Sequence, residues 1–411
     1  MDFKNYLVPG KTGLLIGIGG VSMSPLAEVL HDAGLDIRGS DMAESSNTLT
    51  LREHGIPIHI GHSADNVTDD ISFVIRTAAV HDDNPEVHEA HRRGIPVFER
   101  TQAWGALMRG YQNALCISGT HGKTTTTSMC THIMMAAEKD PTVMIGGTLP
   151  LLKACHRVGK GNTIIMESCE YYNSFLALNP TIAVVLNIEA DHLDFFKDLE
   201  DIKHSFRCFA ERVPAETGTV IANYDDANTM DALRGIARKV ITFGLNAKAD
   251  VYAQNIVHRG SVSEFDIYHR GNYFARVTLH VPGIHNVRNA LAATAAAIVL
   301  GVSPNAVKYG LAGFEGAGRR FDFKGKFQGA DLYDDYAHHP SELRALLDAV
   351  DTLNYQRTIV VFQPHTYSRT AKLFNDFVEQ LRRPTIVYLA EIYAAREKNT
   401  IGISSADLAA Q

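Results

Sequence analysis

The chain has no apolar run long enough to cross a bilayer; its longest candidate, LAATAAAIVLGV at 291–302, has the length of a buried helix. Cysteine is scarce. The five present, Cys116, Cys130, Cys155, Cys169 and Cys208, form no C-x-x-C pair. Their scatter argues against a disulfide framework and against a cysteine zinc site, and it fits reduced thiols in a cytoplasmic protein. The opening residues, MDFKNYLVPGKTG, lack the apolar stretch of a secretory signal. Positive charge is not in excess: the formal net charge is −7. That argues against a nucleic-acid surface, although backbone N–H groups and a few cations can still cradle a phosphate on an acidic protein. Neither an internal repeat nor a low-complexity tract is present, and the expectation is a soluble cytoplasmic protein.

What remains is a globular composition, 45% hydrophobic and 21% charged, over 411 residues. That length is too great for one core and predicts two or three domains. Three blocks each open on an apolar strand that runs into a polar turn. The first, LLIGIGGVSMSPLAEVLHDAGLDIRGSD (14–41), reads as strand, glycine turn, helix, strand and acid. SFVIRTAAV (72–80), a helical stretch from Asn84 to Arg93, and IPVFER (95–100) extend it. The second block begins at Ala114 and carries strands at 162–170, 181–189 and 218–226, then short alternating strands between 244 and 282 that form an antiparallel appendage. The third starts near Phe327. Strands alternating with helices predict an α/β fold with mostly parallel sheets. One boundary falls near Gly110–Gln112. The glycine-rich segment GLAGFEGAGRRFDFKG (310–325) reads as a hinge before the third block.

The segment CISGTHGKTTTTSMCTHIM (116–134) carries the most chemistry. An apolar strand enters a glycine turn, and Lys123 and Thr124 open a helix. Glycines let backbone N–H groups approach phosphate oxygens, lysine adds a positive charge, and the helix start favours an anion. A threonine directly after the lysine is placed to ligate Mg²⁺. The loop GTHGKT is shorter than the common G-x-x-x-x-G-K-[ST] form.

Other constellations gather around it. In GIGGVSMS (17–24), Gly17 and Gly19 sit as in a dinucleotide fingerprint, with Ser22 in the third glycine's place and Asp41 at ribose-contact distance. A nucleotide diphosphate without redox chemistry fits this turn; a tight structural turn is the alternative. MESCE (166–170) and NIEADHLD (187–194) end parallel strands at the edge where ligands bind, which places Glu167, Glu189, Asp191 and His192 near the phosphates. His192 has the alternatives of a helix cap or a solvated side chain. His285, Asn286 and Asn289 open an alanine-rich helix, either to meet a base or ribose or simply to cap it. Arg319 and Arg320 stand beside the hinge, either to reach a phosphoryl group or as a solvated pair. DDYAHHP (334–340) and FQPHTYSR (362–369) bring Asp335, His338, His339, His365 and Arg369 to strand ends. Such groups suit an amino-acid carboxylate and amine; a zinc set is incomplete at this spacing.

GIGGVSMSPLAEVL, SGTHGKTTTTSM, NIEADHLD, GIHNVRNALAA, GRRFD, DDYAHHPSE and FQPHTYSRT follow one another from about Thr12 to about Ile392. Together they resemble the Mur ligases of peptidoglycan synthesis. The resemblance implies three α/β domains: a Rossmann-like UDP-sugar domain at 1–111, a P-loop ATPase-like central domain at 112–316 and a Rossmann-like amino-acid domain at 317–411. It implies the branch that uses ATP and Mg²⁺ to join L-alanine to the lactyl carboxylate of UDP-N-acetylmuramate through an acyl phosphate, in the bacterial cytoplasm, with no nucleic acid and no membrane insertion. By the same resemblance, Gly17, Gly19, Gly20, Ser22, Asp41, Thr77 and Ala78 meet the UDP-sugar. Gly119, Thr120, His121, Gly122, Lys123, Thr124 and Thr125 meet the ATP phosphates, and His285, Asn286 and Asn289 the adenosine. Thr124, Glu167 and His192 serve the metal, and Arg319 or Arg320 the γ-phosphate. Asp335, His338, His365 and Arg369 line the amino-acid end.

The chain departs from the family in three places. ESCEYYNSF replaces an EADESD-like run and keeps Glu170, Thr366 stands where many relatives have arginine, and the chain stops at Gln411 ahead of a Gly-Ala-Gly-Asp-like turn. Two other functions share these features: a ligase that adds a tripeptide to the same UDP-sugar, and a non-catalytic UDP-sugar and ATP binder lacking the family's last strands.

Overall fold

Strands buried on both faces organise the first two thirds of the chain. A computed structural model describes residues 2–77, 79–395 and 397–411. The first sheet contains β1 (Thr12–Ile16), β2 (Asp36–Asp41), β3 (Ile58–Ile60), β4 (Ile71–Arg76) and β5 (Val97–Glu99), in the order β3-β2-β1-β4-β5. Every pairing is parallel. Alternate residues go to opposite faces: Leu15, Ile37, Phe73 and Ile75 join one apolar cluster, while Leu14, Ile16 and Val74 join another. Helices α1 (Ser24–Asp32), α2 (Ser46–Glu53), α3 (Pro85–Arg92) and α4 (Arg100–Met108) connect these strands or follow the last one.

The second sheet has ten strands in the order β15-β14-β13-β12-β11-β10-β6-β9-β7-β8. Its parallel centre is β6 (Asn113–Ser118), β7 (Thr142–Leu149), β9 (Thr163–Glu167), β10 (Ile182–Val185), β11 (Thr219–Asn223) and β12 (Lys239–Gly244), with β8 (Ala154–Arg157) antiparallel on β7. The appendage is there as the sequence predicts: β13 (Val251–Arg259), β14 (Val262–His269) and β15 (Asn272–Leu279) form an antiparallel meander that joins β12 through Phe243 and Gly244. The strands expected at 162–170, 181–189 and 218–226 are shorter. Beyond Glu167 and Val185 the chain becomes loop; after Val185 polar side chains take over the backbone groups, Ile188 N donating to Asp226 Oδ2 and Glu189 N to Thr120 Oγ1.

Helix α5 (Lys123–Ala136) buries an unusual run of hydroxyls. Thr127, Ser128 and Thr131 satisfy themselves on carbonyls four residues back. It packs on α8 (Ile284–Val299), whose alanines are buried, and on α9 (Pro304–Ala312); α6 (Leu199–Glu211) and α7 (Ala227–Ala232) complete the unit. Leu15 and Phe73 of the first sheet and Cys116 and Met166 of the second belong to one apolar cluster, so the two units share a core.

The third unit is slighter. A hairpin of β16 (Asp322–Phe327) and β17 (Ala330–Asp334) leads to α10 (Pro340–Asp351), the parallel pair β18 (Ile359–Phe362) and β19 (Ile386–Leu389), and helices α11 (Tyr367–Lys372), α12 (Phe374–Leu381) and α13 (Ser405–Ala409). Its core is Leu343, Phe362, Phe377 and Leu408. The glycine-rich segment expected to be a hinge is partly core. Gly310 lies inside α9 against Ile133, and Phe314 and Ala317 are 1% and 2% exposed. Among the described residues no helix is long and apolar enough to cross a membrane.

Candidate active site

The phosphate loop leaves the C-terminal end of β6. Gly122, at φ +84°, caps α5, and a Cβ there would fall 2.6 Å from Asn289 Oδ1, so only glycine fits. Lys123 folds back on its own loop: Nζ donates to Gly119 O at 2.5 Å and Thr120 O at 3.2 Å, and lies 3.0 Å from Glu170 Oε2. Burial opposes its charge, but Glu170 outweighs burial and the lysine pKa is raised. Thr124 Oγ1 donates to Glu167 Oε1 at 3.1 Å, and Glu167 Oε2 accepts from Gly146 N at 2.7 Å.

His192 reaches the same place in left-handed backbone (φ +52°), a strained conformation that tends to mark functional sites. Its ring stacks on Tyr171 at 4.4 Å, and Nε2 lies 3.8 Å from Glu170 Oε1 and from Asp191 Oδ2. Burial holds its pKa below the usual histidine value against the pull of Asp191 and Glu170. Glu170, 2% exposed, therefore stands between Lys123 and His192. The sequence showed it only as the survivor of an altered acidic run.

The third unit closes the opposite wall. Glu342 accepts from the backbone N–H groups of His338 and His339 at the start of α10 and lies 3.2 Å from His121 Nδ1. Glu189 lies 3.3 Å from His121 Nε2. Burial alone would lower the His121 pKa; Glu189 and Glu342 overcome it and raise it to about 9. Burial would raise Glu189, but His121 brings it down to about 2. The Ser-Glu pair after HHP, a helix-start signal, was the clue that would have singled out Glu342.

Arg369 binds Asp191 and sets Nη1 3.0 Å from His365 Nδ1. His338 lies 5.8 Å from His365, ring to ring. Asp335 is a turn-holder: its two oxygens accept from Phe321 N and Ala337 N. The arginine pair divides. Arg319 lies over the Tyr336 ring and its side chain is 62% exposed, whereas Arg320 lines the cavity and stands 3.9 Å from Glu342.

That cavity, of about 600 Å³, runs from His121, Gly122, Thr124 and Thr125 to His285, Asn286 and Asn289. Asn286 and Asn289 also secure their own helix, donating to Pro282 O and to Asn286 Oδ1. His285 is half-buried, and that burial depresses its pKa to about 4.

In the first unit, Gly17 has Thr77 against it, so close that a Cβ would come within 2.8 Å of the Thr77 methyl. Asp41, expected at a ribose, accepts from Gly19 N at 2.8 Å and so braces the turn with one oxygen. Asn47 donates to Gly19 O. Ser22 Oγ is buried without a hydrogen-bond partner among the described residues. Gly20 closes the turn onto Gly17 O at 3.1 Å. Ala78 lies outside the described residues.

Three family models match this chain in order: "Mur ligase family, catalytic domain" over 15–112, "Mur ligase middle domain" over 117–297, and "Mur ligase, glutamate ligase domain" over 319–411. The chain belongs to the Mur ligase family. A UDP-N-acetylmuramate–L-alanine ligase of Agathobacter rectalis is 47% identical over 394 residues, covering 96% of this chain and 86% of the relative. The solved UDP-N-acetylmuramate–alanine ligase of Thermotoga maritima superposes with a TM-score of 0.77 at 31% identity, over 93% of this chain and 85% of that one. A UDP-N-acetylmuramate:L-alanyl-γ-D-glutamyl-meso-diaminopimelate ligase of Neisseria meningitides gives 0.67 at 26% identity, over 75% and 99%.

Mur ligases are ATP-dependent, and the donor set here suits Mg²⁺. Thr124, Glu167 and Glu170 offer hard oxygen ligands beside the phosphate loop, and Glu167 already gathers two hydrogen-bond donors around one carboxylate.

Proposed function

We propose that this chain is an ATP-dependent ligase that joins L-alanine to the lactyl carboxylate of UDP-N-acetylmuramate in the bacterial cytoplasm. In this reading, residues 1–111 take the UDP-sugar, 112–316 take ATP and 317–411 take the amino acid. The observation that carries it is the meeting of the central and third units around one phosphate loop, in a chain 47% identical to a ligase of that specificity. The orphaned Ser22 hydroxyl and the Gly17–Gly20 turn supply donors for the UDP diphosphate.

The lactyl carboxylate attacks the γ-phosphorus of ATP; the bond to the β-phosphate oxygen breaks, and an acyl phosphate and ADP form. Lys123 swings from Glu170 onto the phosphates and neutralises charge as it shifts, while Arg320 faces the same cavity from the third unit. Thr124, Glu167 and His192, with Glu170 beside them, would hold Mg²⁺, which would neutralise charge at the phosphates. Alanine's amine then attacks the acyl carbon, the C–O bond to phosphate breaks, and phosphate leaves as the amide forms. His365, kept below its usual pKa by burial and by Arg369, is neutral and accepts a proton at the amino-acid end. The third unit, packed over the loop, shields the acyl phosphate from water.

The test is phosphate release from ATP with UDP-N-acetylmuramate and a panel of amines. Release dependent on L-alanine supports the reading. Release with the tripeptide L-alanyl-γ-D-glutamyl-diaminopimelate instead transfers the chain to the recycling branch. No release with either leaves a binding protein.

A further inference from the structure

We propose that His121, Glu189 and His339 form a binding site for a zinc-class divalent ion that ties the third unit to the phosphate loop. One ligand atom from each of the three lies within 4.8 Å of the others. His121 Nε2 is 3.3 Å and His339 Nδ1 3.9 Å from the same oxygen, Glu189 Oε2. Zinc–nitrogen and zinc–oxygen bonds of about 2.0–2.2 Å set ligand-to-ligand edges of roughly 3.3–3.6 Å in a tetrahedron, so the two edges to Glu189 need shifts of a few tenths of an ångström and the His121–His339 edge, inside 4.8 Å, closes by up to about 1.5 Å. Ser341 Oγ, 2.8 Å from His121 Nε2 and 2.7 Å from His339 Nδ1, is too close to both to share a tetrahedron with them and rotates aside to leave the fourth corner to a water.

The surroundings prepare both rings. Glu342 lies 3.2 Å from His121 Nδ1 and holds a proton there, so Nε2, which faces Glu189, is the nitrogen that gives up its proton when a metal binds. Glu342 is itself held by two backbone N–H groups at the start of α10. A ligating histidine whose other nitrogen meets a carboxylate is the usual outer-sphere arrangement at metal sites. His339 is 6% exposed, and its Nδ1, 3.9 Å from Glu189 Oε2, would exchange a 3.3 Å hydrogen bond from Ser341 N for the metal. Its Nε2 is buried without a hydrogen-bond partner among the described residues.

Two imidazoles and one carboxylate favour zinc, cobalt or nickel over magnesium, unlike the oxygen donors of Thr124, Glu167 and Glu170. His121 and Glu189 belong to the central sheet's loops and His339 to the third unit, so an ion held by all three favours their docked arrangement.

The experiment titrates the full, nucleotide-free chain with Zn²⁺ against a chelating dye, and with Co²⁺ followed by its visible absorption. The expected result is one equivalent with a tetrahedral cobalt spectrum and a rise in Tm. His339→Asn, which keeps a capping side chain on α10, weakens binding by at least about tenfold and removes the rise. Glu189→Gln acts likewise. Absence of stoichiometric binding overturns the proposal. So does full affinity in H339N, or retention in H339N with loss in His192→Asn, which moves the ion to the Glu170–His192 cluster. Neither arm depends on ligase activity.

Discussion

Arg369 of the third unit sets Nε and Nη2 3.1 and 2.8 Å from Asp191 Oδ1 of the central unit, and the two side chains are only 10% and 8% exposed. Burial would raise the Asp191 pKa, but Arg369 overcomes it and keeps the carboxylate ionised. Removing one partner of a buried pair costs about 3–5 kcal/mol, because the other charge is left stranded. Here that cost falls on docking. Asp191→Asn and Arg369→Ala should each lower kcat/KM by about a hundredfold or more, with the central unit still folded. Arg369→Lys should not rescue, since an ammonium cannot offer both donors in the same fork. Steady-state kinetics beside small-angle scattering checks this; an R369A enzyme with unchanged kcat/KM would refute it.

Lys123 carries a second expectation. With the lysine gone, the Glu170 carboxyl is left at 2% exposure without its cation. Lys123→Ala should lower turnover by about a thousandfold and destabilise the fold by about 3 kcal/mol. Adding Glu170→Gln should return most of the stability and none of the turnover. Thermal melts and phosphate release separate the two effects; a double variant no more stable than K123A would mean that the pair is not what holds the loop.

The phosphate loop, the parallel sheets and the meander were legible in the sequence because each rests on local pattern: glycine beside lysine, apolar runs, period-two alternation. What escaped was set by distant partners. Nothing local distinguishes Glu170 from its neighbours until Lys123 and His192 meet it. Asp41 has the spacing of a ribose ligand, yet the Gly19 N–H takes one of its oxygens. The β7–β8 hairpin was missed because β7 packs in the parallel centre while β8 adds a short antiparallel edge, and neither alternates cleanly.

The joint between the first two units should sense pH. His156 Nε2, on β8, lies 3.1 Å from Glu28 Oε2 on α1. Burial opposes its charge, but the Cys155 and Glu28 contacts prevail and raise its pKa from 6.5 to about 9. A group whose pKa is raised by folding adds stability that is full below its unfolded pKa and vanishes as pH climbs through the folded one. His156→Gln should therefore melt lower than wild type at pH 6, and the gap should close between about pH 6.5 and pH 9. His54 lies 3.8 Å from the other Glu28 oxygen, so a His54→Gln control isolates its share. A gap independent of pH would rule out the ion pair as its source.

Gly310 tests whether the glycine-rich segment is hinge or packing. In a hinge, or on an open helix face, Gly310→Ala would be neutral or would stabilise by up to about 1 kcal/mol through helix propensity and reduced unfolded-state entropy. In the structure a Cβ at Gly310 would meet Ile133 Cα at 2.5 Å and Ile133 N at 2.7 Å, backbone atoms of α5 that no side-chain rotation can move away. Separating α9 from α5 to admit the methyl should cost about 1–3 kcal/mol, more than propensity returns. Because α5 begins at Lys123, the strain would also reach the phosphate loop. G310A should thus lower the urea midpoint without changing the slope, and it should raise the KM for ATP. Gly316, at φ +122° with no atom nearer than 3.8 Å to where an added methyl would sit, should respond differently. There alanine clashes with no neighbour and strains only its own backbone, so it should alter the link to the third unit while leaving the α5–α9 contact intact. An unchanged or higher midpoint for G310A would return Gly310 to the hinge and remove the close α5–α9 contact as the reason for a glycine at that position.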